Sequence, residues 1–363
     1  MRLLVTGGAG FIGSHFIRLM MTRRDVTHLI NLDKLTYAAN LENLREFTGD
    51  RRYRFVRGDI ASPLLAQRLM KEVDAVVNFA AETHVDRSIH DAAPFLHTNV
   101  VGVQVLLEAA KTAKLKRFLH VSTDEVYGSL SRGFASEKSN LNPRSPYSAS
   151  KAAADHLVMA YYHTYGLPIL ITRSGNNYGP FQYPEKFLPL FITHALTDRP
   201  LPLYGDGLNV REWLHVSDHC LGIERVLRRG RVSEIYNIGT GRGWPNLTVA
   251  RQLLRYLHKP ESLIWRVPDR LGHDRRYALS TAKIRRELGW SPAIRFEDGL
   301  LDTIEWYKTH RPWWEMILYR SRPYQRYYRK QYAGRKVPSA RFARMANRNA
   351  DGHRNLSKKG RRR

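Results

Sequence analysis

Tyr147 and Lys151 are four positions apart in Tyr147-Ser148-Ala149-Ser150-Lys151. At that spacing two side chains share one face of a helix, about one turn apart. A lone phenol, with a pKa of about 10, is a poor base at neutral pH. An ammonium beside it favours the phenolate, so the pair is a candidate general base for taking a proton from an alcohol. The same spacing occurs on helices that do no chemistry, so its neighbours decide. Ser122-Thr123-Asp124-Glu125-Val126-Tyr127-Gly128 supplies a hydroxyl followed by two adjacent carboxylates. A solvated loop is the plain reading of such a pair. In a cleft the two carboxylates repel, one pKa rises, and a neutral acid stands beside an ionised base.

The elements around these residues predict how they are held. Leu3 to Val5 read as a strand, Gly7-Gly8-Ala9-Gly10-Phe11-Ile12-Gly13 as a turn, and the apolar stretch from Ser14 to Met21 as a helix. Gly8, Gly10 and Gly13 fit G-x-G-x-x-G in the strand–turn–helix context that binds a dinucleotide pyrophosphate at a helix N-terminus. A second strand, His28 to Leu32, ends at Asp33, about 20 residues on, where an acid bonds the ribose 2′-hydroxyl. That acid repels a 2′-phosphate and favours NAD over NADP, an inference tempered by Lys34.

Strands and helices then alternate: Arg54 to Arg57, Ser62 to Lys71, Ala75 to Phe79, a long helix Pro94 to Lys114, Arg117 to Val121, the helix carrying Lys151, and Ile169 to Thr172. This pattern predicts an α/β fold, a Rossmann-type doubly wound parallel sheet covered on both faces. Gly7, Asp33, Asp59, Ala80, Thr123 and Ser174 follow strand ends and should gather along one rim, where such sheets bind ligands. After about Gly175 the rhythm loosens into a smaller α+β lobe interleaved with the end of the sheet. The expected division is 1–175, mainly dinucleotide-binding; 176–319, mainly substrate-binding; and 320–363, a tail without fixed structure.

The chain has 363 residues and a formal charge of +26. From Arg320 to Arg363, 16 Lys and Arg face one acid, Asp351, so over half the excess lies there. Tyr324, Tyr327, Tyr328 and Phe342 are interspersed among these cations, so binding of nucleic acid or an anionic surface is the reading from a different functional class. No RNA-binding motif supports it, and such tails are often merely solvated. Cys220 is alone, which excludes a disulfide framework. The first strand begins at once, without a signal peptide, and no apolar run reaches the ~20 residues of a membrane span. A cytoplasmic protein is expected. The histidines are scattered, with no metal-ligand cluster.

Several stretches together resemble the dTDP-glucose 4,6-dehydratases, extended short-chain dehydrogenases/reductases. They are the glycine turn, Asp33-Lys34-Leu35-Thr36-Tyr37-Ala38, Ala80-Ala81-Glu82-Thr83-His84-Val85-Asp86-Arg87-Ser88, the Thr-Asp-Glu segment, Ser145 to Ala152, Asn176-Asn177-Tyr178-Gly179-Pro180, Pro184-Glu185-Lys186, and Gly272-His273-Asp274-Arg275-Arg276-Tyr277. The likeness covers about residues 1 to 310. It implies that Tyr147 takes the proton of the sugar C4 hydroxyl while hydride passes to NAD. Lys151 lowers the tyrosine pKa and bonds the nicotinamide ribose, and Thr123 bonds the C4 oxygen. Glu125 removes the C5 proton, Asp124 protonates the departing C6 hydroxyl, and hydride returns to C6. The product is a 4-keto-6-deoxy sugar nucleotide.

The resemblance also implies an NAD site lined by Gly7, Gly10, Phe11, Ile12, Gly13, Asp33, Lys34, Leu35, Thr36, Asp59, Ile60, Ala80, Ala81, Thr98 and Asn177, besides Tyr147 and Lys151. It places His84, Thr123, Asn176, Lys186, Arg211, Asn246, Arg270 and His273 on the sugar nucleotide, and it implies a homodimer paired through the helices Pro94 to Lys114 and Ala152 to Tyr165. A plain alternative for Arg211 is an ion pair with Glu212 or Asp218. Ser174-Gly175 stands where the family usually has Cys-Ser, Leu271 where it has Pro, and Gly241 to Asn246 departs from its usual polar loop. These changes fall in the nucleotide lobe and leave dTDP or UDP open as carrier. The rival on the same fold is a nucleoside-diphosphate-sugar 4-epimerase, which needs Tyr147, Lys151 and NAD but no carboxylate pair. GDP-mannose dehydratases are less similar, since their cofactor loop favours NADP.

Overall fold

The computed structural model describes residues 1–332. Its strands are β1 (Arg2–Thr6), β2 (His28–Asp33), β3 (Tyr53–Arg57), β4 (Ala75–Asn78), β5 (Arg117–Thr123), β6 (Ile169–Ser174), β7 (Asn176–Tyr178), β8 (Leu201–Tyr204), β9 (Val210–His215), β10 (Ile235–Ile238), β11 (Gly243–Pro245) and β12 (Ile264–Val267). Seven of them form one sheet in the order β10-β6-β5-β4-β1-β2-β3, parallel throughout. Runs such as Leu3-Leu4-Val5 and Val76-Val77 are fully buried, as strands covered on both faces must be. One face packs on the helices Phe11–Met21 and Val216–Arg229, the other on Pro63–Met70, Val103–Thr112 and Pro146–Tyr165. The strand order reverses between β1 and β4, and ligands of doubly wound sheets bind outside the carboxyl ends of the strands at such a switch point.

Two elements differ from expectation. The helix expected over Pro94 to Lys114 is three pieces: Ala93–Leu96, a π-helical His97–Gly102, and Val103–Thr112. The widened turn carries Asn99 inward, where its amide donates to the Glu82 carbonyl (3.0 Å) and the Ser150 hydroxyl (2.9 Å) and accepts from the Glu82 N–H (2.9 Å). A single wide turn of this kind is frequent at functional sites.

The expected tail is also ordered in part, because Arg322–Tyr332 is a helix. Its inward stripe is made of tyrosines, with Tyr324, Tyr327 and Tyr332 buried. Gln331 donates to the Tyr204 hydroxyl at 2.6 Å, and the Tyr328 ring lies 5.6 Å from that of His194. Arg322, Arg326, Arg329 and Lys330 point outward and are exposed. The rest of the expected tail lies outside the described residues.

The chain divides into two compact units. The first comprises Met1–Tyr183, Leu208–Asn246 and Arg270–Trp306; the second comprises Pro184–Gly207, Leu247–Asp269 and the chain from Tyr307 onward. The boundary expected at 175/176 is therefore replaced by several crossings. The first unit holds the seven-stranded sheet and the small sheet β11-β9-β7, and the second holds the parallel pair β12-β8. No helix among the described residues is long and apolar enough to cross a membrane.

Candidate active site

The glycine turn leaves β1 at the switch point. Gly7 is left-handed (φ +69°), and a Cβ there would sit 2.7 Å from the Ala80 nitrogen; one at Gly13 would sit 2.3 Å from the Gly7 carbonyl oxygen. Neither position admits a side chain. Gly10 differs: only the Gly7 oxygen, 3.3 Å away, lies within reach of an added Cβ, so that side of the turn is open to a ligand's approach. Gly10 caps the helix Phe11–Met21 without a side-chain hydrogen bond, so the first-turn N–H groups around Phe11, Ile12 and Gly13 are available to an anion.

Asp33 closes β2, accepting from the Ala9 N–H (2.9 Å) and the Leu35 N–H (2.8 Å). Burial raises its pKa against those two bonds. Leu35 itself is left-handed (φ 58°). Lys34 pairs with Asp59 at 2.7 Å, and Ile60 packs against Gly102 beside Thr98 on the π-helical turn. Ala80 donates its N–H to the Thr6 hydroxyl (3.3 Å), and Ala81 follows along the same rim. This cradle fits a dinucleotide, with an open glycine for the pyrophosphate and an acid at the end of the second strand for a ribose.

The reacting residues come from the end of β5, the 3-10 turn Asp124–Tyr127 that follows it, and the helix Pro146–Tyr165. That helix starts sharply because Pro146 occupies its first turn and Ser145 and Ser148 form a capping box. Tyr147 and Lys151 are 7% and 3% exposed, which places them in a nearly dry site. The Thr123 hydroxyl donates to Asp124 Oδ1 at 3.2 Å and accepts from the Glu125 N–H at 3.3 Å. Asp124 is 3% exposed. Its carboxyl is held well above the usual range, first by burial and then by Glu125 and Glu212, with Arg211 and Thr123 opposing. The Tyr277 hydroxyl reaches Glu125 at 3.5 Å and Asp274 at 2.7 Å. The burial of Asp124 does not fit a solvated loop, and the raised pKa of its carboxyl beside Glu125 favours the protonated form.

One expectation is not met. Lys151 directs its Nζ to the Val121 carbonyl (2.7 Å) and to His120 Nε2 (3.2 Å). Burial lowers its pKa to about 8, with Asp155 opposing. Tyr147 is not depressed: burial and Glu125 push its hydroxyl up, and only contact with Thr123 pulls it down. Two nearby carboxylates and a dry site outweigh a lysine whose charge is directed elsewhere.

Most expected sugar-nucleotide residues gather in the same unit. His84 precedes the helix Val85–His90, and Arg270 stands 3.8 Å from Asp86 on that helix. His273 lies between Arg270 and Asp274 in the chain. Arg211 does not pair with Glu212 or Asp218. It donates to the Val210 and Asp274 carbonyls (2.8 Å each) and lies over the Tyr277 ring at 4.2 Å. Asp218 accepts from the Ala293 and Ile294 N–H groups. Glu212, fully buried, accepts from the Leu279 (2.7 Å), Thr240 (2.8 Å) and Gly241 (3.0 Å) N–H groups. Three backbone donors satisfy this buried carboxylate, a role that its place beside Arg211 in the sequence did not suggest.

Asp124 Oδ2, Asn176 Oδ1, Asn177 Oδ1 and Asn246 Oδ1 are buried with no hydrogen-bond partner among the described residues. Buried oxygens of this kind suit a polar ligand. Lys186 belongs to the second unit, at the start of the helix Phe187–Leu196.

Comparisons with known proteins give the family. A family model described as GDP-mannose 4,6 dehydratase matches residues 4–303. A dTDP-glucose 4,6-dehydratase of Streptomyces niveus is 52% identical over 321 residues, 87% of this chain and 96% of that protein. The crystal structure of DesIV, the dTDP-glucose 4,6-dehydratase of Streptomyces venezuelae, with NAD and TYD bound, aligns with a TM-score of 0.86 at 53% identity, covering 87% of this chain and 100% of that one. A UDP-glucose 4-epimerase of Thermotoga maritima shares the fold at a TM-score of 0.79 but only 29% identity, covering 85% and 99% of the two chains. Half identical to such dehydratases over nearly their whole length, and matched by the family model from β1 into the helix Phe296–Thr309, the chain belongs to the dTDP-glucose 4,6-dehydratases of the GDP-mannose 4,6-dehydratase family.

Proposed function

We propose that the chain converts dTDP-glucose to its 4-keto-6-deoxy derivative by 4,6-dehydration, with the reacting groups divided between the end of β5, the turn Asp124–Tyr127 and the helix Pro146–Tyr165. The observation that carries this reading is the buried Asp124 beside Glu125, one carboxyl poised neutral and its neighbour placed to act as base. NAD held by the glycine cradle and Asp33 would supply the hydride acceptor for C4 and the donor for C6, and its oxidised ring would favour a tyrosinate nearby. Tyr147 takes the C4 hydroxyl proton, and Thr123 hydrogen-bonds that oxygen. The C4 ketone acidifies C5–H, which Glu125 removes, while Asp124 gives its proton to the C6 hydroxyl so that water leaves. Arg211 and Arg270 supply charge for the diphosphate, a recognition to which the guanidinium fork is suited. An epimerase would have no use for the Asp124–Glu125 pair. Incubation with dTDP-glucose and with UDP-glucose, followed by mass spectrometry, should show loss of one water from the dTDP sugar. An unchanged mass with an inverted C4 would replace this reading with epimerisation.

The second part of the proposal is a homodimer. Leu96, Val101 and Tyr165 are exposed apolar residues, 53%, 47% and 53% respectively, just before the π-helical segment, within it, and at the end of the helix Pro146–Tyr165. A second copy paired through these helices would cover them. Light scattering of a stable monomer at micromolar concentration would refute it.

A further inference from the structure

Below Lys151 a row of polar side chains crosses the middle of the sheet. Thr6 on β1 is the register partner of Asn78 on β4, and Asn78 is the register partner of His120 on β5. All three are at most 1% exposed. The Thr6 hydroxyl lies 2.5 Å from Asn78 Oδ1, Asn78 Nδ2 lies 3.1 Å from His120 Nδ1, and His120 Nε2 lies 3.2 Å from Lys151 Nζ. The next register partner, on β6, is Ile171, so the row ends at His120 and turns up into the lysine. A purely apolar row would pack these strands without any desolvation cost, whereas a buried polar row is tolerated only when every member is satisfied. At the His120 end its exit is Lys151.

We propose that His120 is a positioning residue for Lys151, the end of a buried row Thr6–Asn78–His120 that satisfies the lysine in both of its protonation states. The hydrogen bonds of the row can run in two directions. An ammonium has donors only, so charged Lys151 requires Nε2 of a neutral imidazole as acceptor. The imidazole proton then sits on Nδ1 and points to the Asn78 amide oxygen, and the amide NH2 points to Thr6. In the opposite direction Thr6 donates to Asn78 Oδ1, the amide donates to Nδ1, and Nε2–H points to a neutral lysine amine. Turning the Asn78 amide over, together with the change of tautomer, interconverts the two. No proton is gained or lost by the row itself; only the charge of Lys151 differs.

The groups that face His120 fit this role. Lys151 and Asp155 approach from the helix Pro146–Tyr165, Asp155 Oδ1 at 3.8 Å, and Arg173 approaches from β6, paired with Asp155 at 2.8 Å. Burial first, then the charges of Lys151 and Arg173, hold the His120 pKa well below its ordinary value. The ring therefore stays neutral and keeps one nitrogen free to accept. At its other end the row accepts the Ala80 N–H at Thr6, so the same string reaches the cofactor loop.

This proposal rests on Tyr147 and Lys151 acting together at C4, and the test separates the two. His120→Gln places a carboxamide oxygen where Nε2 stood, whereas His120→Asn reaches Asn78 but falls short of Lys151. Without the acceptor the ammonium is less favoured, so the pKa of Lys151 falls and that of Tyr147 rises. In His120→Asn the alkaline limb of kcat/KM should move down, and the acid limb up, by about one to two pH units, with kcat reduced roughly 10- to 100-fold. His120→Gln should lie within about three-fold of wild type, with its limbs restored. Side-chain nitrogen NMR of histidine-labelled protein gives a readout independent of turnover. The His120 signal, identified by its loss in His120→Gln, should pass from the Nδ1–H to the Nε2–H tautomer across the alkaline limb. Equal activity and unchanged limbs in the two folded variants, or a tautomer constant with pH, would overturn the proposal. Wild-type protein that releases no water in the same assay would instead overturn the dehydratase reading.

Discussion

Asp124→Asn is the substitution with the most to reveal, because it should raise stability while removing activity. Asn keeps the side-chain shape and can still accept the Thr123 hydrogen bond, but it has no proton to give. In the unfolded chain an aspartate titrates near 3.9. In the folded protein burial, Glu125 and Glu212 hold Asp124 well above that. Between those two pH values the unfolded chain has released the proton and the folded one has kept it, so stability falls as pH rises. The contribution is complete below the unfolded pKa and is lost as pH passes the folded one, at about 1.4 kcal/mol for each unit between them. An asparagine has no such dependence. The variant should therefore melt higher than wild type at neutral pH, by about 2–4 °C per kcal/mol for a domain of this class. Dehydration should drop roughly 10²- to 10⁴-fold, the worth of a general acid. Melting curves at acid and neutral pH, with water loss followed by mass spectrometry at matched NAD content, measure both. A wild-type dehydration rate, or a lower melting temperature at neutral pH, would refute the assignment of Asp124 as a buried neutral acid.

Tyr147→Phe should abolish both water loss and the near-ultraviolet absorbance of reduced nicotinamide on adding substrate, whereas Asp124→Asn should keep that absorbance. Any wild-type signal in Tyr147→Phe would remove the tyrosine from C4 oxidation. Gly13→Ala puts a Cβ 2.3 Å from the Gly7 oxygen, so NAD recovered from denatured protein should fall ~10-fold or more; full retention would contradict the cradle. Truncation after Tyr332 should leave dehydration and melting unchanged, since it keeps the helix Arg322–Tyr332 with its buried tyrosines. If the full chain shifts on RNA or anionic vesicles in a salt-dependent way and the truncated one does not, the basic segment has a binding role of its own.

The strand–glycine–helix unit, the acid at the end of β2 and the Tyr147–Lys151 helix were all legible in the sequence because each is a local pattern with a local physical cause. The breaks in legibility are as instructive. The π-helical His97–Gly102 is hidden because apolar residues recur through Pro94 to Lys114 as they would in an unbroken helix. The row Thr6–Asn78–His120 is one polar residue in each of three buried strands, and only the register brings them together. The helix Arg322–Tyr332 was missed because its apolar stripe consists of tyrosines among arginines, although Tyr324, Tyr327, Tyr328 and Tyr332 recur at helical spacing. Glu212 reads as a partner for Arg211 until the three backbone N–H groups around it are seen.

The pKa directions at the site explain why its charged groups are buried at all. Asp124 is pushed up, the Tyr147 hydroxyl is pushed up and Lys151 is pushed down, each chiefly by burial. All three shifts disfavour charge, so the resting site tends towards neutral acid, neutral phenol and weakly held ammonium. Neither Asp124 nor Tyr147 is favoured as a base until positive charge arrives. The oxidised nicotinamide of an NAD held by the glycine cradle would supply positive charge, and Lys151, donating to the Val121 carbonyl and His120, adds its own while it stays protonated. The buried Asp124 needs no such help: burial first, and then Glu125 and Glu212, raise its pKa and so favour the protonated acid that a departing C6 hydroxyl requires.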